Sequence, residues 1–185
     1  IADGDWSSDV CSSDLIHKAD EAFGLELEKD YLGKENCPEV LLKTRPEVIQ
    51  HIHESFLEVG SDAIETDTFG ANKLVLEEFE LQDETRELNR LAVAYARESC
   101  DKYASEDKPR FVIGSMGPGT KLVTLGHTDW DTMLDSYTEQ CRGLIDGGVD
   151  AFLIETAQDL LQVKCAINAC CDALEEQDLT PDDIP

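Results

Sequence analysis

The stretch Glu65-Thr66-Asp67-Thr68-Phe69-Gly70-Ala71-Asn72 follows the short apolar run Asp62-Ala63-Ile64. A related pattern returns at Asp150-Ala151-Phe152-Leu153-Ile154, which also ends in Glu-Thr, at Glu155-Thr156. Each run is preceded by a helix-like segment that stops at glycine, Gly60 in the first case and Gly147-Gly148 in the second. A helical pattern follows each. The two copies describe one repeated strand–helix unit with polar groups at the carboxyl end of its strand.

Outward from these runs the chain keeps the same rhythm. Thr44-Arg45-Pro46-Glu47 has capping-box spacing with proline in the first turn, and predicts a helix to about Val59. Val48, Ile49, Ile52 and Phe56 share its inner face, and Gly60 ends it. A strand is expected over 62–66 and a long helix over 83–104, with Leu88, Leu91, Ala92, Tyr95 and Ala96 inward. Arg110 to Gly114 reads as the next strand. It runs into the glycine-rich loop Ser115 to Thr120, which lacks the Lys-Ser/Thr of a phosphate loop and is expected to shape the rim of the site. Asp131 is expected to cap a helix over 132–146. A strand over 150–155 and a helix over 157–174 complete the pattern. Residues 16–43 read as irregular, with Gly24, Gly33 and Pro38 as breakers, and the tail from Asp178 is polar. Short continuous apolar strands alternating with longer helices mean a parallel sheet in an α/β fold. In β/α barrels the carboxyl ends of the strands build the active site, so the Glu-Thr motifs mark the candidate site.

The 185 residues carry a formal charge of −26, which argues against nucleic acid or an anionic membrane as partner. No apolar run approaches the roughly 20 residues that span a bilayer. No basic segment followed by an apolar core opens the chain, so a cytoplasmic protein is expected. The seven cysteines are irregularly spaced, lack a C-x-x-C pair and read as free thiols. Asp5-Trp6-Ser7-Ser8-Asp9-Val10-Cys11-Ser12-Ser13-Asp14-Leu15 reads as the translation of a common sequencing-adapter oligonucleotide. Residues 1–15 are therefore set apart, and 16–185 are taken as the domain.

Three stretches carry a family resemblance: 44–72 (TRPEVIQHIHESFLEVGSDAIETDTFGAN), 110–128 (RFVIGSMGPGTKLVTLGHT) and 147–167 (GGVDAFLIETAQDLLQVKCAI). Together they resemble the homocysteine S-methyltransferase family. The TFGA and GPGTKL segments lean towards the homocysteine-binding domain of its cobalamin-dependent methionine synthases. The resemblance implies a partial (β/α)8 TIM-type barrel, roughly units one to four. Adapter-like residues would replace the first strand, strands two to four would be present, and strands five to eight absent.

The resemblance also implies a chemistry. A methyl group passes from methylcobalamin, and ultimately from methyltetrahydrofolate, to the zinc-activated thiolate of L-homocysteine, giving methionine. The family's zinc cysteines lie in Asn-Cys and Gly-Gly-Cys-Cys-Gly motifs, which this sequence lacks. Zinc and cobalamin are thus expected of the full-length parent and not of this chain. The expected partners are homocysteine and the folate and cobalamin modules of the same polypeptide. Cys170-Cys171 sits in a helical pattern and is read as a buried free pair, and His51 and His53 as surface or capping residues. On the family's pattern Glu155 binds the substrate's amino group. Thr66, Asp67 (where the family more often has Asn) and Thr68 would meet the substrate's polar end. Two alternatives stay open: a betaine- or S-methylmethionine-dependent relative, and an inactive half barrel.

Overall fold

The computed structural model describes residues 22–185. The adapter-like residues 1–15, and the expected replacement of the first strand by them, lie outside the described residues. Strands β1 (Ala63–Glu65), β2 (Phe111–Met116) and β3 (Ala151–Ile154) form a parallel sheet in chain order. Four long helices frame it: α1 (Pro46–Glu58), α2 (Thr85–Tyr103), α3 (Trp130–Gly147) and α4 (Leu160–Glu175). Parallel neighbours in chain order are joined by right-handed crossovers, so α2 and α3 fall on the same face of the sheet. The helices form one layer there, α1 against α2, α2 against α3 and α3 against α4.

Strand alternation decides what enters the core. Ile64, Val112 and Met116 point to the helices and meet Leu57, Val93, Ala96, Leu144, Ala166 and Ala169. Alternate residues, among them Ala63, Ile113 and Leu153, belong to the other face and are only partly buried. Two glycines let α3 approach α2 closely. A Cβ at Gly143 would lie 2.4 Å from the Arg86 carbonyl oxygen, and one at Gly147 would lie 2.5 Å from Val93 Cβ.

Several local expectations change. Thr44 does not close a capping box: its hydroxyl donates to the Asp30 carbonyl at 2.5 Å, while Glu47 pairs with Arg45. The residues before α1 are not irregular. Helical turns at Pro38–Val40 and Leu41–Thr44 bury Cys37, Val40, Leu41 and Leu42 against Ile49, Leu76, Leu88 and Ala92. Three consecutive apolar residues, Val40-Leu41-Leu42, give that segment enough surface to bury. The cap of α3 is Asp129, not Asp131; its carboxylate accepts from Thr132 N at 2.8 Å. Strand β2 continues past Gly114 because Ser115 and Met116 pair with Leu153 and Ile154. Gly148 ends α3 at φ +85, the left-handed conformation expected of a glycine stop. At the outer edge of β3, Phe152 N donates to Pro185 O at 2.8 Å. Among the described residues no helix is long and apolar enough to cross a membrane.

Candidate functional site

The carboxyl ends of the three strands converge on one hydrogen-bonded cluster. Strand β1 ends in Glu65 and passes into Thr66, Asp67 and Thr68, all three buried. Strand β2 brings Ser115, and β3 delivers Glu155 one residue past its end. The Ser115 amide donates to Thr66 Oγ1 at 3.2 Å, and Thr68 Oγ1 donates to the Ser115 carbonyl at 2.7 Å. Thr68 has one hydroxyl proton, already given to that carbonyl. The 2.6 Å contact between the two threonine hydroxyls must therefore carry the proton of Thr66. The Ser115 hydroxyl in turn donates to Glu155 Oε1 at 2.5 Å. One continuous chain of bonds thus runs from β1 through β2 to a half-exposed carboxylate at β3.

Further groups hold this cluster from outside. Gln140 on α3 donates from Nε2 to the Thr68 carbonyl at 2.8 Å, with Ser115 O at 3.4 Å. Gly117 N donates to Phe69 O at 3.1 Å, joining the loops after β1 and β2. Tyr137 donates to the Gly117 carbonyl at 2.9 Å, and Gln162 on α4 bonds the Pro118 carbonyl. After Glu155 the backbone turns sharply, with Thr156 at φ +55. A β-branched residue seldom adopts that conformation, and such strain collects at functional sites.

Asp67 is the odd member. It is buried beside Glu39, and its Oδ2 has no hydrogen-bond partner. Burial first, and the Glu39 charge second, push its carboxyl well above the ordinary carboxylate range. Burial also raises Glu39, whose Oε1 accepts from Gly70 N at 3.0 Å and whose Oε2 faces the Cys37 thiol.

The structure brings all four expected residues to one end of the sheet, with Thr66 and Thr68 fully engaged in internal bonds. Sequence reasoning placed Ser115 only within the loop expected to shape the rim, and missed Gln140 and Glu39. The position of Ser115 at a strand's end, matching that of the Glu-Thr motifs, was the available signal. The two histidines separate. His51 is exposed, with its ring edge-on to Phe23 at 5.1 Å. His53, expected at the surface, is instead buried, because it lies one turn from both Ile49 and Leu57 on the inner stripe of α1. Burial lowers its pKa to about 4. Cys170 faces the core, whereas Cys171 is exposed, so the expected buried pair is split by helical geometry. Among the described residues no group of three or more His, Cys, Asp or Glu is arranged to hold a metal ion.

This arrangement has relatives. Residues 16–181 match the family model described as Homocysteine S-methyltransferase. The chain belongs to that family. It is 45% identical over 161 residues to the methionine synthase of Mycobacterium tuberculosis (strain ATCC 25618 / H37Rv), covering 84% of this chain and 14% of that protein. It is also 45% identical over 154 residues to the methionine synthase of Mycobacterium leprae (strain TN), covering 80% of this chain and 13% of that one. The chain therefore spans about one-seventh of the curated relatives' length. In fold it is similar to the homocysteine methyltransferase MmuM from Escherichia coli. The metallated form superposes with a TM-score of 0.65 at 19% identity, over 88% of this chain and 57% of that one. For the apo form the TM-score is 0.56 at 18% identity, over 78% and 52%.

Proposed function

We propose that the chain is the amino-terminal part of a homocysteine-binding (β/α)8 barrel in a methionine synthase, and that its strand ends form the amino-acid side of the homocysteine pocket. The one-sided helix layer, with the sheet's other face partly exposed, supports a segment of barrel wall. Residues 16–185 are that segment, and 1–15 are foreign to it. The observation that carries the site is the bond chain ending at Glu155.

Glu155 is the direct contact: a carboxylate at a strand end attracts the substrate ammonium, and a charge-assisted bond there is about twice as strong as a neutral one. Thr66 and Thr68 have committed their protons elsewhere, so they act by positioning Ser115, which fixes the Glu155 rotamer. Asp67, with its orphaned oxygen, and the backbone near Phe69 and Gly70 take the substrate's polar end.

In the parent protein zinc would lower the pKa of the homocysteine thiol and methylcobalamin would supply the methyl group. The His, Cys, Asp and Glu residues described here do not fit a zinc site, and this segment's contribution is to bind and orient the amino acid. The folate and cobalamin modules are its partners on the same chain, and the cytoplasm is its compartment. The chain covers only 13–14% of the two mycobacterial methionine synthases, a length that fits a parent with further cobalamin and folate modules better than a single-barrel betaine or S-methylmethionine enzyme.

The test is calorimetric titration of the intact parent protein with L-homocysteine and with N-acetyl-L-homocysteine. Glu155→Gln should weaken binding of the free amine strongly and leave the acetylated analogue unchanged. Equal loss for both ligands would remove Glu155 from the ammonium contact.

A further inference from the structure

Behind the strand ends lies a second constellation that the homocysteine reading does not use. Met116 is the last residue of β2, Cys141 sits in the middle of α3 and Cys170 in the middle of α4. Their sulfur atoms form a nearly equilateral triangle. Cys141 Sγ lies 3.7 Å from Cys170 Sγ, and each thiol lies 3.9 Å from Met116 Sδ. Met116 and Cys141 have no solvent exposure, and Cys170 has 9%.

The centre of that triangle is about 2.2 Å from each sulfur, close to the roughly 2.3 Å of a metal–thiolate bond. The three sulfurs are thus already spaced as a trigonal site requires. The surrounding core is apolar, built from Leu144, Ala166, Ala169 and Ala173 among others, and the hydroxyl of its Tyr137 is already given to the Gly117 carbonyl. That disfavours zinc, which takes four ligands in structural sites. Thiolates and a thioether in low coordination instead suit a soft ion.

We propose that Cys141, Cys170 and Met116 form a trigonal site for a soft monovalent d10 metal ion of the copper(I) class. One cation replaces two thiol protons, which leave to solvent. Two metal–thiolate bonds and one metal–thioether bond form, and no oxidation state changes. The bound ion cross-links α3, α4 and the end of β2, whose Met116 carbonyl accepts from Glu155 N at 3.2 Å. The site thus lies directly behind the Glu155 strand end, while being chemically independent of it.

The experiment offers Cu(I), as its bathocuproine complex, to the full 185-residue chain under anaerobic reducing conditions. The chain should withdraw one Cu(I), and X-ray absorption should show three sulfur neighbours and no nitrogen or oxygen. Cys141→Ser and Cys170→Ser should each abolish retention, Met116→Leu should weaken it, and Cys171→Ser should leave it unchanged. Two sulfurs only, a nitrogen or oxygen shell, no withdrawal of copper, or retention that follows Cys171 would each overturn the proposal. The absorption spectrum of the unaltered chain decides the matter even where a variant fails to fold. Homocysteine binding plays no part in the readout, so this site and the pocket stand or fall separately.

Discussion

Ser115 Oγ donates to Glu155 Oε1 at 2.5 Å, joining the end of the middle strand to the end of β3. The carboxylate at the mouth of the site is therefore held by a residue that precedes it by 40 positions. A hydrogen bond to a charged group contributes about 1.5–3 kcal/mol. Ser115→Ala should accordingly weaken homocysteine binding by the intact parent protein by about tenfold or more. Ser115→Thr, which keeps the hydroxyl, should recover most of that loss. Calorimetry on the three proteins checks this, and an unaltered affinity in Ser115→Ala would separate Ser115 from the site.

Gly143 sets the distance between α2 and α3. An added Cβ would meet the Arg86 carbonyl oxygen at 2.4 Å and Asn89 Cβ at 2.7 Å. Backbone cannot rotate away as a side-chain tip can, so the helices must part. Overpacking of this kind costs about 1–3 kcal/mol or more. Gly143→Ala should lower the unfolding free energy by that amount, and the urea midpoint with it, despite alanine's better helix propensity. Gly148→Ala should also destabilise, but through its φ of +85, since its Cβ would meet nothing within 4 Å. A midpoint for Gly143→Ala at or above that of the unaltered chain would exclude the close-approach account.

His53 gives stability an acid-side slope. Its folded pKa of about 4 lies below the ordinary 6.5, so the fold favours the neutral ring. The unfolded chain binds the extra proton between those values, and stability is full above about pH 6.5 and falls as pH drops towards 4. The total loss is about 3 kcal/mol on the usual conversion. His53→Gln should flatten the dependence of the urea midpoint on pH across that window. A slope that persists unchanged in the variant would assign it to other groups.

Asp67 acts in the opposite sense. Its folded pKa is raised, so the fold favours the protonated acid. Its contribution is present below the unfolded value, near 3.8, and is lost as pH rises towards the folded one. Asn cannot ionise and avoids that loss. Asp67→Asn should therefore stabilise the chain at neutral and alkaline pH and make little difference in acid. Urea midpoints at pH 4 and pH 8 decide this, and a variant less stable at both would show that the carboxyl makes a contact an amide cannot replace.

The strands and long helices were legible because each is an apolar run with its own period, closed by glycine. Gly60, at φ +108, and Gly148 are the stops that divide the repeat. Cap identity was less legible: Asp129 and Asp131 lie two residues apart, and only the entry angle of the chain selects between them. Glu155 and the Thr66 to Thr68 segment were visible as strand ends, while the roles expected of them came from the family resemblance. Glu39 and Gln140 were not, because they reach the site over 31 and 72 residues of sequence. His53 was misplaced because a polar residue was read by its type, while its position between Ile49 and Leu57 determined its burial.

Among the described residues no long helix covers the second face of the sheet, and that face governs how the isolated chain should behave. Phe111 on that face is 46% exposed, and no residue of β3 is fully buried. The outer edge of β3 receives one bond from the tail, Phe152 N to Pro185 O. Parallel edges left open among the described residues, beside an apolar face, invite pairing with another chain, since parallel sheets are stable when covered on both faces. The isolated 185 residues should therefore associate, with an apparent urea midpoint that rises with protein concentration. Lysine substitution at Phe111 points a charge out of the exposed face without touching the helix-side core, and should reduce that association. A sharp urea transition independent of concentration over a hundredfold range would show instead that the one-sided layer is self-sufficient.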